Sequence, residues 1–490
     1  MAQSTAVSLP SKTTKLQPLW NGFTYFTHQL HGIQWMLNLE KEGVDVGGTN
    51  MHGGLQCDDM GLGKTIQVAS VIANNKKKMT LLIAPLAMVE TWATTCMKCG
   101  FLVYEINQKT GEWACMNENS ALPTAFIRLR PSVYITNYDK IPSRPSMFAY
   151  AWDRVVLDEA HKIRNPNGQL AMALRTIRAP IRWAVTGTPL VNSLRDIVSL
   201  LAFIGVPVNA TFSWEKRFQD MLPKILLHRS LDSLRSIIQG APPVPEITQC
   251  ILPFTTPEEE EFYHGVQGSI SHLMDKYNGD VMNNVQKFLL LLRLRQISVH
   301  PQVYLNAKRR ENVNYHRNNW DNPSTKMSKV REIIKADQDA SADVHKYIVF
   351  CQFHEEMEIF RDFLVDEKLI EEDNVLLYHG GMNQAERTKV LAYSKATPKA
   401  TVLLLQLQSG GVGLNLQEYD RVIFMSPWWT AALMDQAIAR AVRMGQTKIV
   451  RVFHLHLAAE KENSINIDHM VNEKAEEKRR MLEKVFSWCP

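Results

Sequence analysis

The chain has 490 residues, and its 55 lysines and arginines against 50 aspartates and glutamates give a net charge of +5. The composition, 45% hydrophobic and 21% charged, excludes a disordered chain and indicates a globular protein of about two to four domains. Seven mostly isolated cysteines exclude a disulfide framework. Met1–Lys15 lacks the apolar core of a signal peptide and Ile197–Val208, the longest apolar stretch, is too short to span a bilayer, so we expect neither secretion nor membrane insertion.

The first half of the chain alternates short apolar runs with longer amphipathic segments. Strands that alternate with helices form a parallel sheet covered on both faces, so this pattern predicts an α/β lobe. Residues 201–240 are predicted to be helical, and three prolines in Ala241–Pro245 predict a stiff connector. The predicted strands are Gly54–Cys57, Leu81–Ala84, Val133–Thr136, Val155–Leu157 and Trp183–Thr186.

The second half begins with helix and then returns to the same alternation. Residues 255–300 are predicted to be helical and residues 301–325 to form a polar surface loop. A charged helix is predicted near residues 460–485. The predicted strands here are Tyr347–Cys351, Val375–Tyr378, Thr401–Leu405 and Arg421–Met425.

A glycine-rich loop, Gly61–Thr65, follows a predicted strand and opens a predicted helix. Glycines let backbone N–H groups approach phosphate oxygens, while Lys64 reaches the β- and γ-phosphates and the Thr65 hydroxyl ligates Mg²⁺. Asp58 stands where the strict phosphate-loop pattern has its first glycine, so an ordinary strand–turn–helix remains the alternative.

An acidic segment, Asp158–His161, directly follows the predicted strand Val155–Leu157. Two acids at the end of a buried strand lie beside a bound nucleotide, where Asp158 would hold Mg²⁺ and Glu159 would orient or deprotonate the attacking water. The alternative is the general preference of helix N-termini for acidic residues.

With further segments, these motifs resemble the SWI/SNF-related family of DNA-dependent ATPases in helicase superfamily 2. The resemblance covers about residues 25–450, which is a motor core, and Trp152–His161 and Ser426–Trp429 are similar to its DNA-repair and transcription-termination branch. The further segments are Thr27–Gly32, Ile83–Leu86, Thr186–Leu190 with Asn192, Leu294–Ile297 with His300 and Pro301, Ile348–Phe353, Tyr378–Gly381, Ser409–Leu416 and Gln436–Gln446.

The resemblance implies two RecA-like lobes, each with a parallel sheet, flanking helices and a helical insertion. The expected organisation is a polar N-terminal segment (1–20), a first ATP-binding lobe with its helical annex (21–240), a proline-rich linker (241–250), a helical annex and loop (251–325), a second helicase lobe (326–460) and a charged C-terminal helix (461–490).

The resemblance also implies roles for individual residues. Gln29 would read adenine, with Phe26 or Tyr25 stacked on the base, and Arg440 and Arg443, three apart on one face of a predicted helix, would act as arginine fingers. The implied catalytic residues are Asp158, Glu159, His161, Gln436, Arg440 and Arg443; the ATP-binding residues are Gln29, Asp59, Met60, Gly61, Leu62, Gly63, Lys64, Thr65 and Gly413; the Mg²⁺ ligands are Thr65 and Asp158; and the DNA-binding or coupling residues are Pro85, Asn137, Thr186, Gly187, Thr188, Ser409, Gly411 and Trp429.

The sequence departs from the family pattern at three places. Val191 replaces a glutamine, Leu227–Ser230 only loosely resembles a basic stretch, and Gln406 and Leu407 replace a hydroxyl-bearing pair. These departures concern the coupling of the lobes more than ATP binding.

The predicted function is an ATP-dependent translocase on double-stranded DNA that displaces or remodels bound proteins, such as nucleosomes, polymerase or repair complexes. It is expected to act as a monomer with ATP and Mg²⁺, in the nucleus or, in a bacterium or virus, in the cytoplasm, nucleoid or replication site. One alternative is an RNA or DNA helicase that unwinds strands; an RNA helicase is suggested by Asp158–His161 and disfavoured by Thr186–Pro189. The other is a non-catalytic scaffold that binds DNA or a partner.

Overall fold

The computed structural model describes residues 16–107, 109–117, 130–207, 214–276, 284–340, 343–407, 414–458 and 465–489. The chain divides into two compact units, each with its own sheet. The first unit takes residues 1–241 and 478–490, and the second takes residues 242–477. The predicted α/β class with two sheet-containing lobes is confirmed.

The sheet of the first unit has nine strands among the described residues, in the order β1-β2-β8-β7-β3-β6-β4-β5, with β9 paired to β2. Its central strands are parallel and rich in valine, isoleucine and leucine, as expected for strands covered on both faces. The strands are β1 Val44–Val46, β2 Thr49–Gln56, β3 Met79–Ala84, β4 Leu102–Ile106, β5 Trp113–Cys115, β6 Ser132–Asn137, β7 Arg154–Asp158, β8 Ile181–Val185 and β9 Leu226–Leu227. The helices are α1 Thr27–Glu42, α2 Lys64–Asn74, α3 Leu86–Lys98, α4 Lys140–Ser143, α5 Gln169–Thr176, α6 Leu194–Ile204, α7 Trp214–Ile225 and α8 Leu231–Leu234, with 3-10 turns at Pro145–Phe148 and Ala160–Ile163.

Two hydrophobic cores lie on opposite faces of this sheet. Side chains alternate between the faces along a strand, so Val155 and Leu157 of β7 enter one core while Val156 enters the other. The same alternation separates Leu81 from Leu82 on β3. The sheet is therefore a rigid central layer that fixes where its strand ends lie.

The second unit has a six-stranded, wholly parallel sheet in the order β10-β15-β14-β11-β13-β12. Its strands are β10 Glu246–Leu252, β11 Lys346–Cys351, β12 Val375–Tyr378, β13 Thr401–Gln406, β14 Arg421–Phe424 and β15 Arg451–Leu457. Its helices are α9 Pro257–Lys276, α10 Asn284–Val299, α11 Pro301–Glu311, α12 Thr325–Ala340, α13 His354–Asp366, α14 Gln384–Ala396 and α15 Ala431–Ile438, with a 3-10 turn at Glu372–Asn374. The last helix, α16 Ile467–Phe486, begins in this unit and ends among the residues of the first.

All nine predicted strands are present, eight of them within one or two residues at each end, while β2 begins at Thr49, five residues before the predicted Gly54. The surface loop predicted at 301–325 is wrong in its first part. Residues 301–311 form α11, because Pro301 suits the first helical position and the His300 side chain accepts a hydrogen bond from the Gln302 N–H at 3.0 Å. Val303 and Leu305 then bury this helix against its neighbours.

Three predicted segment boundaries also differ. Residues 246–250, expected in the linker, belong to β10, which pairs in parallel with β15 along its whole length. The helical stretch predicted at 201–240 is interrupted by β9, which adds to the edge of the first sheet beside β2. Residues 478–490, expected in a separate C-terminal helix, are part of the first unit.

Within the described part of the chain, every helix is too short or too polar to cross a lipid bilayer.

A buried ion pair joins α1 to the centre of the first sheet. The Arg154 Nε donates to Glu40 Oε1 at 2.7 Å, and neither side chain is exposed. The Trp183 indole N–H and the Asn75 amide also donate to the Glu40 carboxylate, at 2.9 and 2.6 Å. Every oxygen of this buried carboxylate is thus satisfied, which is the condition under which such a pair is tolerated.

Replacement of Glu40 by alanine is predicted to lower the free energy of unfolding by about 3–5 kcal/mol, because Arg154 would stay buried without its partner. Urea denaturation of the whole chain measures this loss. The matched control is Glu42→Ala, an exposed residue of the same helix, which should change stability by less than about 0.5 kcal/mol. Equal losses in the two variants would contradict the prediction.

Candidate active site

Five neighbouring strands of the first sheet bring the predicted site residues of this unit to one edge. In parallel sheets the carboxyl ends of the strands meet at one edge, where ligands bind. The adjacent strands β6, β3, β7, β8 and β2 each end at a predicted site segment. These segments are Asn137 at the end of β6, Pro85 after β3, Asp158 at the end of β7, Thr186 after β8 and Asp59–Thr65 after β2.

The loop after β2 has the backbone of a phosphate-binding turn. Gly61 and Gly63 have φ angles of +86° and +76°, which only glycine adopts without strain, and α2 begins directly at Lys64. The Lys64 Nζ donates to the backbone carbonyl oxygens of Asp58 at 2.7 Å and Asp59 at 3.2 Å. Thr65, half-buried, is the second residue of this helix. The free N–H groups at the start of α2 favour an anion.

Asp58, which departs from the strict phosphate-loop pattern, anchors the loop from inside. It is fully buried, and the Arg229 guanidinium donates to both its oxygens, with Nε to Oδ1 at 2.9 Å. The amides of Gln56 and Gln67 donate to Oδ2 at 2.9 and 3.0 Å. Burial by itself would raise the pKa of Asp58, but the Arg229 and amide hydrogen bonds hold this pKa below its usual value. The carboxylate is therefore a charged anchor inside the unit.

Asp158 at the end of β7 is almost fully buried and held on two sides. The Trp92 indole donates to its Oδ2 at 2.7 Å, and the Tyr138 hydroxyl donates to its backbone carbonyl at 2.6 Å. Burial, followed by the neighbouring Glu159 charge, raises the pKa of Asp158 to about 6, while the Trp92 hydrogen bond and the Lys64 charge oppose the rise. Such a carboxylate is stabilised in its charged form by a cation.

Glu159 has a strained backbone, with φ +51° and ψ +51°. Left-handed residues other than glycine are uncommon and cluster at functional sites. The His161 Nδ1 lies 3.4 Å from Glu159 Oε2 and 3.1 and 3.3 Å from the hydroxyl oxygens of Thr186 and Thr188. The acidic segment after β7 is thus joined through His161 to the segment after β8. The Lys64 ammonium also lies beside Gly187 of that segment.

Gln29 lies against the phosphate-binding loop, as the predicted adenine-reading role requires. It is 6% exposed, its Oε1 accepts from the Phe26 N–H at 3.1 Å, and its amide nitrogen lies beside Gly63. The Tyr25 hydroxyl is 2.7 Å from that of Ser70, and its ring packs against the core. Phe26 is half-buried and stacks beside His28. Of the two aromatic alternatives, Phe26 is therefore the better placed.

The predicted arginine-finger residues lie in the second unit. The prediction that they share one face of a helix is wrong. Helix α15 ends at Ile438, so Arg440 and Arg443 follow it in irregular turns. The Arg440 carbonyl accepts from the Leu416 N–H at 3.1 Å, which takes it out of the helical pattern. The Arg443 Nη1 donates to the Leu414 carbonyl at 3.3 Å, and burial lowers the pKa of Arg443. Gln436, on the helix itself, is buried.

Trp429, a predicted DNA-contacting residue, packs with Trp428 around a buried arginine. The guanidinium carbon of Arg295 lies 4.7 Å from the ring centroid of Trp428 and 5.9 Å from that of Trp429. The other second-unit positions, Ser409, Gly411 and Gly413, lie outside the described residues.

The sequence missed three residues that hold the site together. Trp92 and Tyr138 support Asp158, and Arg229 supports Asp58. Arg229 had a signal, since Leu227–Ser230 loosely matches the basic stretch of the family. Trp92, inside α3, and Tyr138, directly after β6, had none, because buried aromatic residues are common in any core.

Two family models match the chain. One describes an SNF2-related domain and matches residues 28–303, over half of the chain; the other describes the conserved C-terminal helicase domain and matches residues 325–445. The chain belongs to the SNF2-related family. It is a DNA-dependent ATPase of the helicase-like class, and the predicted nucleotide-binding residues of the first unit lie inside the first matched region.

Curated relatives agree with this assignment. The SNF2-related chain is 28% identical over 477 residues to the probable global transactivator of Orgyia pseudotsugata multicapsid polyhedrosis virus, covering 94% of this chain and 91% of that protein. It is 26% identical to the DNA repair protein RAD5 of Yarrowia lipolytica, covering 82% of this chain and 53% of that protein. The chain thus spans most of the viral relative but about half of the RAD5 protein. A solved Sulfolobus solfataricus SWI2/SNF2 ATPase core in complex with dsDNA is 22% identical, with a TM-score of 0.41, over 97% of this chain and 99% of that chain.

Replacement of Arg229 by lysine is predicted to lower kcat/KM for ATP at least about tenfold, because one ammonium cannot donate in parallel to both oxygens of Asp58. Steady-state ATP hydrolysis measures this effect. The matched control is Arg235→Lys, since Arg235 pairs with the exposed Asp232. A loss in the control equal to that in Arg229→Lys would contradict the role assigned to Asp58.

The pH dependence of the ATPase is predicted to follow Asp158. With its pKa raised to about 6, this carboxyl becomes protonated and loses its charge as the pH falls, so kcat/KM for ATP should decline below pH 6. Trp92→Phe removes a hydrogen bond to the charged form, so the decline should move to higher pH. A profile that is flat to pH 5, or a shift to lower pH in Trp92→Phe, would contradict this assignment.

Proposed function

We propose that this SNF2-related ATPase is a translocase on double-stranded DNA, which uses ATP to displace or remodel bound proteins without necessarily separating the strands. One observation supports the proposal: the segments assigned to nucleotide binding and to coupling follow five adjacent strand ends at one edge of a single sheet. Thr186 and Thr188, assigned to coupling, contact His161 of the acidic segment directly. A change at the nucleotide is thereby passed to a neighbouring strand end without an intervening flexible segment.

In the proposed site, Gln29 binds the adenine and the N-terminus of α2 binds the phosphates. Lys64 would exchange its bonds to the Asp58 and Asp59 carbonyls for bonds to the β- and γ-phosphates of the substrate. Glu159 would orient or deprotonate the attacking water, and its strained backbone fixes the carboxylate for that task. In phosphoryl transfer, positioning and charge neutralisation supply most of the acceleration.

The residues fit a magnesium ion. Asp158 supplies a buried carboxylate whose charge burial disfavours, and Thr65 supplies a hydroxyl at the start of α2. Hard oxygen donors of this kind are what Mg²⁺ binds beside nucleotide phosphates. When bound, the ion would neutralise charge that develops on the phosphate oxygens.

Arg440 and Arg443 are proposed to complete the site during turnover. Both follow α15 in turns rather than in a helix, and the Leu414 carbonyl holds Arg443. An arginine that stabilises the transition state is worth about 10³–10⁵ in rate in GTPases. Gln436 and Gly413 are assigned to the same site.

The proposed DNA contacts are made to the phosphate backbone. Pro85 and Asn137 lie at the ends of the paired strands β3 and β6, and Ser409, Gly411 and Trp429 are assigned to the second unit. Backbone contacts imply little base specificity and an affinity that falls steeply with salt.

The cargo and cellular location are proposed from the relatives. The name of the viral relative, a probable global transactivator, supports a role in transcription, and that of the RAD5 protein supports DNA repair. The protein displaced would then be a nucleosome, a polymerase or a repair complex, in the nucleus or wherever a viral or bacterial genome is read.

The first test measures ATP hydrolysis without nucleic acid and with duplex DNA, single-stranded DNA or RNA at two salt concentrations. Duplex DNA should stimulate hydrolysis most, and the stimulation should fade as salt rises. Displacement of a third strand from a triplex then reports movement along the duplex. Stimulation by RNA alone would favour the RNA helicase, and nucleotide binding without any turnover would favour the scaffold.

Two variants test the assigned chemistry. Lys64→Ala and Arg443→Ala should each lower turnover by about 10²-fold or more, since each removes a charge from the phosphates. Lys76→Ala is the control, because this exposed lysine lies just beyond the end of the helix that Lys64 begins. Undiminished turnover in Lys64→Ala or Arg443→Ala would overturn the mechanism.

A further inference from the structure

The end of the chain is built into the core of the first unit. Val485, near the end of α16, is fully buried in the core that also contains Leu55 of β2 and Ile225 of α7. Met481, Leu482, Phe486, Trp488 and Cys489 are half-buried against the same core. We call residues 478–489 the C-terminal segment. Its apolar side chains make it a structural part of the nucleotide-binding unit.

One contact of the C-terminal segment leads directly to the phosphate-binding loop. The Phe486 ring lies parallel to the His228 imidazole, with centroids 3.5 Å apart and an interplanar angle of 6°. The same imidazole also makes a polar contact, because its Nε2 lies 3.4 Å from the Oδ1 of Asp59. His228 is thus held between an aromatic ring and a carboxylate.

Asp59 also contacts two other residues of the segment 228–231 that contains His228. Its Oδ2 accepts from the Leu231 N–H at 2.9 Å, and its own N–H donates to the Arg229 carbonyl at 3.0 Å. Its backbone carbonyl accepts from the Lys64 Nζ at 3.2 Å. The position of residues 228–231 therefore decides where Asp59 lies, and Asp59 immediately precedes the residues that bind phosphate.

We propose that the C-terminal segment positions the phosphate-binding loop for ATP, acting through the stack of Phe486 on His228. Phe486 and His228 are positioning residues, since neither is assigned a contact with the nucleotide. Without the ring of Phe486, the imidazole loses its fixed orientation, and Asp59 loses one of its three contacts with residues 228–231. The segment thereby makes ATP affinity depend on residues more than 400 positions away from the loop. The inference rests on the ATPase activity and not on the proposed DNA translocation.

Phe486→Leu tests the proposal, because leucine keeps apolar bulk in the core but cannot stack on the imidazole. The dissociation constant of a fluorescent ATP analogue and the KM for ATP should both rise by about threefold to tenfold, the range expected for the loss of one aromatic pair. The value of kcat should stay within about twofold, since no group on the phosphates is removed. Phe486→Tyr keeps the ring and should restore wild-type binding.

Trp488→Leu is the matched control. Trp488 lies in the same segment and packs on Phe218, with centroids 6.2 Å apart, but has no described contact with His228. It should lower the melting temperature at least as much as Phe486→Leu while leaving ATP affinity unchanged. His228→Ala should weaken binding like Phe486→Leu, and the double variant should be no weaker than either single one, since both remove one pathway.

Three results would overturn the proposal. These are unchanged ATP affinity in a folded Phe486→Leu chain, an equal loss of affinity in Trp488→Leu, and full additivity in the double variant. A wild-type chain that hydrolyses ATP but does not move along DNA would contradict the translocase and leave this inference untouched.

Discussion

The buried carboxylate of Asp58 is the constraint on which the proposed nucleotide-binding edge of the first sheet depends. A charge removed from water is tolerated only when a partner and hydrogen bonds replace its hydration, and Arg229, Gln56 and Gln67 supply these. Meeting this requirement ties the loop after β2 to the segment after β9. Asp58, which occupies the position of the first glycine in the strict phosphate-loop pattern, therefore has a structural role inside the unit. The loop is thus fixed by the buried contact between Asp58 and Arg229 as well as by the conformation of its own backbone.

The two acidic residues at the end of β7, Asp158 and Glu159, are also held in place by neighbouring residues. Asp158 is almost fully buried and is oriented by Trp92, while Glu159 is held in a left-handed backbone beside His161. Burial and the neighbouring Glu159 charge make the charged form of Asp158 costly until a cation compensates it. The rigid sheet supplies the support, because its strands are fixed by cores on both faces. Chemistry that depends on positioning rather than on covalent steps needs a support of this kind.

The strands of the two sheets could be predicted where burial on both faces makes them continuously apolar, as in Val155–Leu157 and Thr401–Leu405. Strand β10 could not, because it is mostly exposed and mixes polar with apolar residues instead of forming a continuous apolar run. Helix α11 was hidden by its polar composition, although a proline start and two buried aliphatic residues define it. The end of α15 at Ile438 was also missed, and the Arg440 carbonyl beyond it accepts a hydrogen bond from Leu416, a residue distant in the sequence.

The sequence by itself indicated the chemistry. Gly61 and Lys64 follow one predicted strand, and Asp158 and Glu159 follow another. These local patterns and their order along the chain can be recognised without a structure. Only the tertiary structure decided what holds them. Arg229 reaches Asp58 across 171 positions and Trp92 reaches Asp158 across 66, and Phe486 stacks on His228 from a distant part of the chain. Contacts between distant residues depend on how the sheet and helices pack, and periodicity and motif spacing carry no information about that packing.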